Sequence, residues 1–243
     1  MSQTTIRTVF FDVGGTLAHP HPSFHALIAQ VCQRNGLAVT AQDAERAEPA
    51  VWARIAQRDD GGRGFSVSVD RSRAFWLWVY QTFLAELGYA SAAKTELPQR
   101  LLETFVRLES YRLYEDALPA LRLLRRAGLT LGVISNWEEW LERLMVRLGI
   151  RDFFDVAVIS GREGLEKPDP AIFLRALESA GARPEEALHV GDSVRDDVEG
   201  AGAVGIRGIL LDRTGKYSSE PGSFPSIRSL DELAALVGLE PEV

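Results

Sequence analysis

The chain has a single cysteine, Cys32. That excludes an internal disulfide and any multi-cysteine metal site. No neighbouring residues argue for an activated thiolate, so Cys32 reads as a small buried apolar residue and not as a nucleophile. Positive charge is scarce as well. Lys and Arg together number 27 against 34 Asp and Glu, for a formal net charge of -7, and only three of the cations are lysines. Nucleic acid and anionic membranes both require clustered positive charge, so neither is expected as a partner. No apolar run reaches bilayer-spanning length, and the polar start Met1-Ser2-Gln3-Thr4-Thr5 lacks the apolar core of a signal peptide. A cytoplasmic location is the expectation from these two absences. Internal repeats and low-complexity tracts are missing too.

What is present suits a globular chain with a sizeable core: 243 residues, 46% hydrophobic and 25% charged. One domain with an insertion, or two domains, would fit this length. From Leu17 to Tyr114 the pattern is helical, with helices expected over 22–35, 41–58, 70–87 and 97–111 and no convincing buried strand. The third carries Phe75, Trp76, Trp78, Tyr80 and Phe83, a stripe that reads as the core of a small helical bundle. Arg63, in the glycine-rich break between the second and third helices, is a candidate contact for an anionic substrate.

After Tyr114 strands alternate with helices. Strands are expected over 129–134, 155–159, 187–190 and 206–211, and helices over 118–127, 138–148, 170–180, 194–203 and 230–236. Strands joined by helices imply right-handed crossovers and a parallel α/β sheet covered on both faces. The first strand lies before the helical stretch, where Val9-Phe10-Phe11 runs straight into Asp12, Gly14 and Gly15. A strand buried on both faces thus delivers one carboxylate to its carboxyl end, the edge at which open parallel sheets bind ligands. The two glycines would let backbone approach a ligand closely.

Polar residues then fall at four such places: Asp12, Ser135-Asn136, Lys167, and Asp192 with Asp196 and Asp197. One parallel sheet would bring all four to the same edge. Several carboxylates against one lysine overload that edge with negative charge. Two carboxylates about 4 Å apart repel by roughly 4 kcal/mol at an effective dielectric near 20. Protons or a divalent cation must offset this, and all-oxygen ligands at an open edge favour Mg²⁺ shared with a phosphate. Ser135, Asn136, the backbone N–H groups of the turn after Asn136 and Lys167 would supply donors and charge to that phosphate.

These residues resemble the motifs of the haloacid dehalogenase-like hydrolases. The likeness rests on Phe10-Phe11-Asp12-Val13-Gly14-Gly15-Thr16-Leu17, Val133-Ile134-Ser135-Asn136, Glu166-Lys167-Pro168-Asp169-Pro170 and His189-Val190-Gly191-Asp192-Ser193 with Asp196-Asp197. The resemblance implies a Rossmann-like core formed by residues 1–17 and 113–243, with the first strand central and a helical cap domain at 18–112. It also implies that Asp12 is the nucleophile, Ser135 the phosphate ligand and Lys167 the neutralising cation. Gly15, Thr16, Asn136 and Arg63 would contact the substrate. Asp12, the Gly14 carbonyl, Asp192 and Asp196 or Asp197 would hold Mg²⁺. The activity implied is hydrolysis of a small phosphorylated metabolite through an aspartyl-phosphate. A homodimer is left open.

One position departs from the family's phosphatases, which usually carry a second aspartate, the general acid and base, where this chain has Gly14. Such assistance typically contributes about 10²–10⁴-fold, so a phosphatase without it should favour good leaving groups. His19, His21 and His25 are the nearby substitutes. Gly14 also keeps two other readings open, a 2-haloacid dehalogenase, whose halide needs no proton, and a non-catalytic binding protein. The acidic Asp192–Asp197 stretch favours the metal-dependent branch. A phosphonate-cleaving relative would need a cap lysine, and the only one there is Lys94.

Overall fold

In the computed structural model, which describes residues 5–57, 64–217 and 224–239, the chain divides into two compact units. One comprises Met1–Ala18 with Leu113–Val243, and the other His19–Arg112. The chain crosses between them twice, and the crossings pair as a two-stranded sheet of β2 (Ala18–Pro20) and β3 (Tyr111–Leu113).

The first unit is built on β1 (Thr8–Phe11), all four residues of which are buried. The helical unit holds α1 (Phe24–Arg34), α2 (Ala41–Ala56), α3 (Val69–Glu86) and α4 (Leu97–Phe105). After β3 the first unit resumes with α5 (Ala117–Arg126), β4 (Thr130–Ser135), α6 (Leu141–Arg147), β5 (Val156–Ile159), α7 (Ser160–Glu163), α8 (Pro170–Ala180) and β6 (Ala187–Gly191). A π-helical turn, Val194–Glu199, runs into α9 (Gly200–Gly202), then β7 (Arg207–Leu211), β8 (Ser226–Ile227) and α10 (Leu233–Leu236).

Six strands form one sheet in the order β5-β4-β1-β6-β7-β8, and every neighbouring pair is parallel. This is the Rossmann-like α/β architecture expected, with β1 inside the sheet. Phe11 lies opposite Val133 of β4 on one side and Val190 of β6 on the other. Buried on both faces, β1 has no solvent side to tolerate polar residues, which is why it reads as an apolar run. Phe10, Ile134 and Val158 pack with Ile172 and Phe173 of α8 in one apolar cluster. Each such side chain contributes about 1.5–3 kcal/mol by leaving water. Proline at the first position of α8 and the Asp169 carboxylate accepting from Ala171 N at 2.9 Å fix where that helix begins.

In the helical unit Phe75, Val79, Tyr80, Phe83 and Leu84 of α3 are buried, so the aromatic stripe is core. Tyr80 stacks on Phe105 with ring centroids 5.4 Å apart. Cys32 is fully buried in α1, and that burial pushes its thiol up to about 11. No described helix is long and apolar enough to cross a membrane.

Several boundaries differ from expectation for local reasons. The fourth helix stops at Phe105 rather than near 111. Ser110 Oγ and Tyr111 Oη donate back to the Thr104 and Phe105 carbonyls, at 2.6 and 2.9 Å, and close its end. The stretch 17–114 also contains the short strands β2 and β3. Residues 138–140 are not helical because the Trp137 carbonyl is taken by Ser160 Oγ and Gly161 N, at 3.0 and 2.9 Å. The helix expected over 194–203 begins as a π turn, with Asp197 N and Val198 N both donating to Ser193 O.

Candidate active site

Asp12 follows β1 while still in the ladder, its N–H donating to Val190 O at 2.9 Å. The carboxylate therefore leaves the sheet in a fixed direction. Its Oδ1 accepts from Ser135 Oγ, the last residue of β4, at 3.0 Å and from Lys167 Nζ at 2.8 Å. Its other oxygen has no hydrogen bond among the described residues. Lys167 Nζ donates also to Asp197 Oδ1 at 2.6 Å, and Lys167, Asp12, Ser135 and Asp197 are all buried. The end of β1, the loop before α8 and the π turn after β6 thus meet on one ammonium group, and the end of β4 joins them through Asp12, at the carboxyl edge of the sheet as the sequence predicts.

The π turn folds Asp197 back over the end of β6. A Cβ on Gly191 would lie 2.0 Å from the Asp197 carboxyl carbon, so only glycine leaves room there. Asp197 Oδ2 accepts from Ser193 N at 3.0 Å, and its Oδ1 lies 2.8 Å from His189 Nε2. Burial would raise the Asp197 carboxyl, but Lys167 and His189 outweigh it and hold the group below the usual carboxylate range. Burial and the Lys167 charge push His189 down, against the pull of its bond to Asp197. Lys167 is held above its ordinary value because Asp12 and Asp197 overcome the cost of burying it. Asp12 is pushed up by burial and by Asp197, against the pull of Lys167 and Ser135.

Asp192, at the tip after β6, keeps solvent access. Gly15, with φ +74°, brings its backbone so close that a Cβ there would lie 2.1 Å from Asp192 Oδ2. The surrounding protein, with the Asp12 and Asp197 charges, pushes Asp192 up to about 7, tempered by the solvent that reaches it. Asp196 rises to about 6, chiefly by burial. Three carboxylates, Asp12, Asp192 and Asp197, thus repel one another around one lysine.

The structure rearranges several expected roles. Asn136, expected on the substrate, is engaged with the Lys167 backbone: Nδ2 donates to Lys167 O at 2.9 Å and Oδ1 accepts from Lys167 N at 2.7 Å. Thr16 is fully buried, and its carbonyl accepts from Arg213 Nη2 at 2.8 Å, which places it behind the loop and not on a substrate surface. The expected metal set is Asp12, the Gly14 carbonyl, Asp192 and one of Asp196 or Asp197. Among the described residues no group of three or more His, Cys, Asp or Glu side chains is arranged to hold a metal ion. Asp197 is engaged by Lys167, His189 and Ser193 instead, and Asp196 N caps onto Ser193 Oγ at 3.1 Å. Asp12, Asp192 and the Gly14 carbonyl remain as the oxygen donors available to a cation. Arg63 lies outside the described residues. His25 pairs with Glu48 at 3.0 Å and His19 Nδ1 lies 2.8 Å from Pro20 O.

A haloacid dehalogenase-like hydrolase family profile matches residues 6–205. The chain belongs to the haloacid dehalogenase-like hydrolases. The haloacid dehalogenase-like hydrolase domain-containing protein 3 of Bos taurus is 31% identical over 208 residues, covering 85% of this chain and 82% of that one. A phosphoserine phosphatase of Thermus thermophilus is 38% identical over 152 residues, or 62% of this hydrolase and 59% of the relative. A solved 2-haloacid dehalogenase from Pseudomonas syringae superposes with a TM-score of 0.61 at 28% identity, covering 96% of this chain and 98% of that one.

Sequence reasoning gave no role to three residues of this hydrolase that the structure brings into play. His189 is one polar side chain in an otherwise apolar buried strand, and that misfit is a readable signal. Arg213, which grips Thr16 and Asp116, and Trp137, which packs over Gly14, gave none, because each acts on a residue far away in sequence.

Proposed function

We propose that this hydrolase is a Mg²⁺-dependent phosphatase of a small phosphorylated metabolite, with Asp12 as nucleophile. The observation that carries the reading is one carboxylate oxygen held by both Ser135 and Lys167 while the other has no hydrogen bond among the described residues. The residues suit a divalent cation. Asp12, the Gly14 carbonyl and Asp192 are all-oxygen donors at one strand edge, too few to strip Mg²⁺ of its waters and too negative to sit together uncompensated. Bound there, Mg²⁺ would supply charge neutralisation on the phosphate. Lys167 adds a second positive charge from inside the protein, and Ser135 orients the nucleophile.

Asp12 forms a bond to phosphorus as the bond to the leaving oxygen breaks, with the electron pair departing on that oxygen. Water then bonds to the same phosphorus, the Asp12 carboxylate is released, and the water's proton goes to the phosphate product. The relative named as a phosphatase supports this reading. The dehalogenase reading stands second, favoured by Gly14 and by the dehalogenase likeness. Purified protein should hydrolyse p-nitrophenyl phosphate only with Mg²⁺, and Asp12→Asn should abolish this. Turnover of 2-chloropropionate without metal, and none of the phosphate, would replace the reading with its rival.

A further inference from the structure

Gly14 is not merely the absence of an acid, because the room for a side chain there is already filled. A Cβ on Gly14 would lie 2.9 Å from Trp137 Cζ3, 3.7 Å from Cε3 and 3.9 Å from Cη2. Gly14 does not have a positive φ, so backbone conformation does not demand glycine at this position; the indole does. A longer side chain on that Cβ would run into the benzo edge of the ring.

The main chain of Trp137 is held in place, and its ring is backed by a second indole. Its backbone N–H donates to Ser160 Oγ at 2.9 Å, and its backbone carbonyl accepts from Ser160 Oγ at 3.0 Å and from Gly161 N at 2.9 Å. Its ring meets Trp140 edge to face at 5.3 Å. Gly161 itself must be glycine, since a Cβ there would lie 2.9 Å from Glu138 Cα. The start of α7, just after β5, therefore fixes the main chain from which the indole reaches the nucleophile loop two residues beyond Asp12, with Trp140 at its edge.

We infer that Trp137 is the specificity-determining residue of this site. Its indole stands where the leaving-group acid would stand, and so restricts turnover to phosphates whose leaving oxygen departs unprotonated, the acyl and aryl phosphates. The inference rests on the phosphatase reading and names its substrate class. In the first step the phosphorus–oxygen bond breaks with its electron pair on the leaving oxygen, which departs as carboxylate or phenolate while Asp12 takes the phosphoryl group. An alkoxide leaving the same site would need a proton that Gly14 cannot give.

The test pairs stability with kinetics. Gly14→Ala, Trp137→Ala and their double variant are melted to read the contact without any turnover. Gly14→Ala should lower the melting temperature in the intact protein and have little effect once Trp137 is alanine. Independent, additive shifts would overturn the inference. For kinetics, acetyl phosphate, p-nitrophenyl phosphate and glycerol 1-phosphate are compared with Mg²⁺ present. The natural protein should favour the first two over the third by at least about 100-fold in kcat/KM. Adding Gly14→Asp to Trp137→Ala should raise kcat on glycerol 1-phosphate at least about tenfold, and by more than on acetyl phosphate. Gly14→Asp alone should bring no gain. Equal rates on all three substrates, or a gain from Gly14→Asp with Trp137 in place, would overturn the specificity role and leave the phosphatase reading standing. No turnover of any phosphate would overturn both.

Discussion

Replacing Asp116 by asparagine should unfasten the loop that carries Gly14. Asp116 Oδ1 accepts from Arg213 Nη2 at 2.9 Å, and Oδ2 accepts from Arg213 Nη1 at 2.8 Å, Ser229 Oγ at 3.0 Å and Leu230 N at 3.0 Å. The same Nη2 donates to the Thr16 carbonyl at 2.8 Å, and the guanidinium lies 3.8 Å over the Tyr114 ring. Asparagine keeps the shape but points an N–H₂ at a guanidinium donor, leaving Arg213 without a counter-ion. The side chains are 11% and 19% exposed. The loss therefore falls between the 0–1 kcal/mol of a surface pair and the 3–5 of a broken buried one, at about 2–3 kcal/mol. For a chain of this size that is a fall of roughly 5–10 °C in melting temperature.

The pH dependence follows from the same bonds. Burial would raise the Asp116 carboxyl, but Arg213, Leu230 N–H and Ser229 outweigh it and hold the group below its ordinary value. A carboxylate depressed in the folded state contributes stability that is fully present above its unfolded pKa, about 3.9, and is lost as pH falls through the folded value. The gap between natural protein and Asp116→Asn should be constant from pH 8 to about 5 and close only below about 4. Denaturant melts across that range check it, with Asp116→Asn/Arg213→Met as the coupling control. Equal stabilities at pH 7.5, or a gap that persists undiminished into the acid range, would refute the reasoning.

Two further outcomes are expected. Asn136→Ala removes both bonds to the Lys167 backbone, so kcat on p-nitrophenyl phosphate should fall by roughly 10- to 100-fold with KM little changed; a raised KM at intact kcat would make Asn136 a substrate contact after all. Asp192→Asn should weaken Mg²⁺ binding, read by calorimetry, by at least about tenfold, while unchanged binding would remove Asp192 from the donor set.

The parallel sheet was legible because its strands are buried on both faces and separated by helices, so apolar runs and glycine stops mark them without reference to partners. β2 and β3 were not legible. Each is three residues long and held by the other crossing, with His21 N on Ser110 O and Tyr114 N on Leu17 O, bonds that no local pattern announces. The π turn was hidden for a similar reason. Helical periodicity survives through 194–203, and what bends its first turn is the Asp197 carboxylate finding Lys167 and His189.

At the site, residue type and strand-end position were enough to gather Asp12, Ser135, Lys167 and Asp197, but not to divide the work among them. Adjacent aspartates at 196 and 197 are equivalent on paper. Only the turn decides that Asp197 faces the lysine while Asp196 stays at the helix start. The same holds for Asn136, whose carboxamide could serve a phosphate or a backbone; the loop at Lys167 supplies a donor and an acceptor at matching spacing, and a carboxamide satisfies both at once. Gly14 shows the limit most sharply. The sequence marks a missing acid there, yet the space for one is taken by an indole 123 positions along, carried on a main chain that Ser160 and Gly161 hold. Restoring the aspartate alone therefore addresses only half of the pair: the room a proton donor would need beside Gly14 is held by a tryptophan.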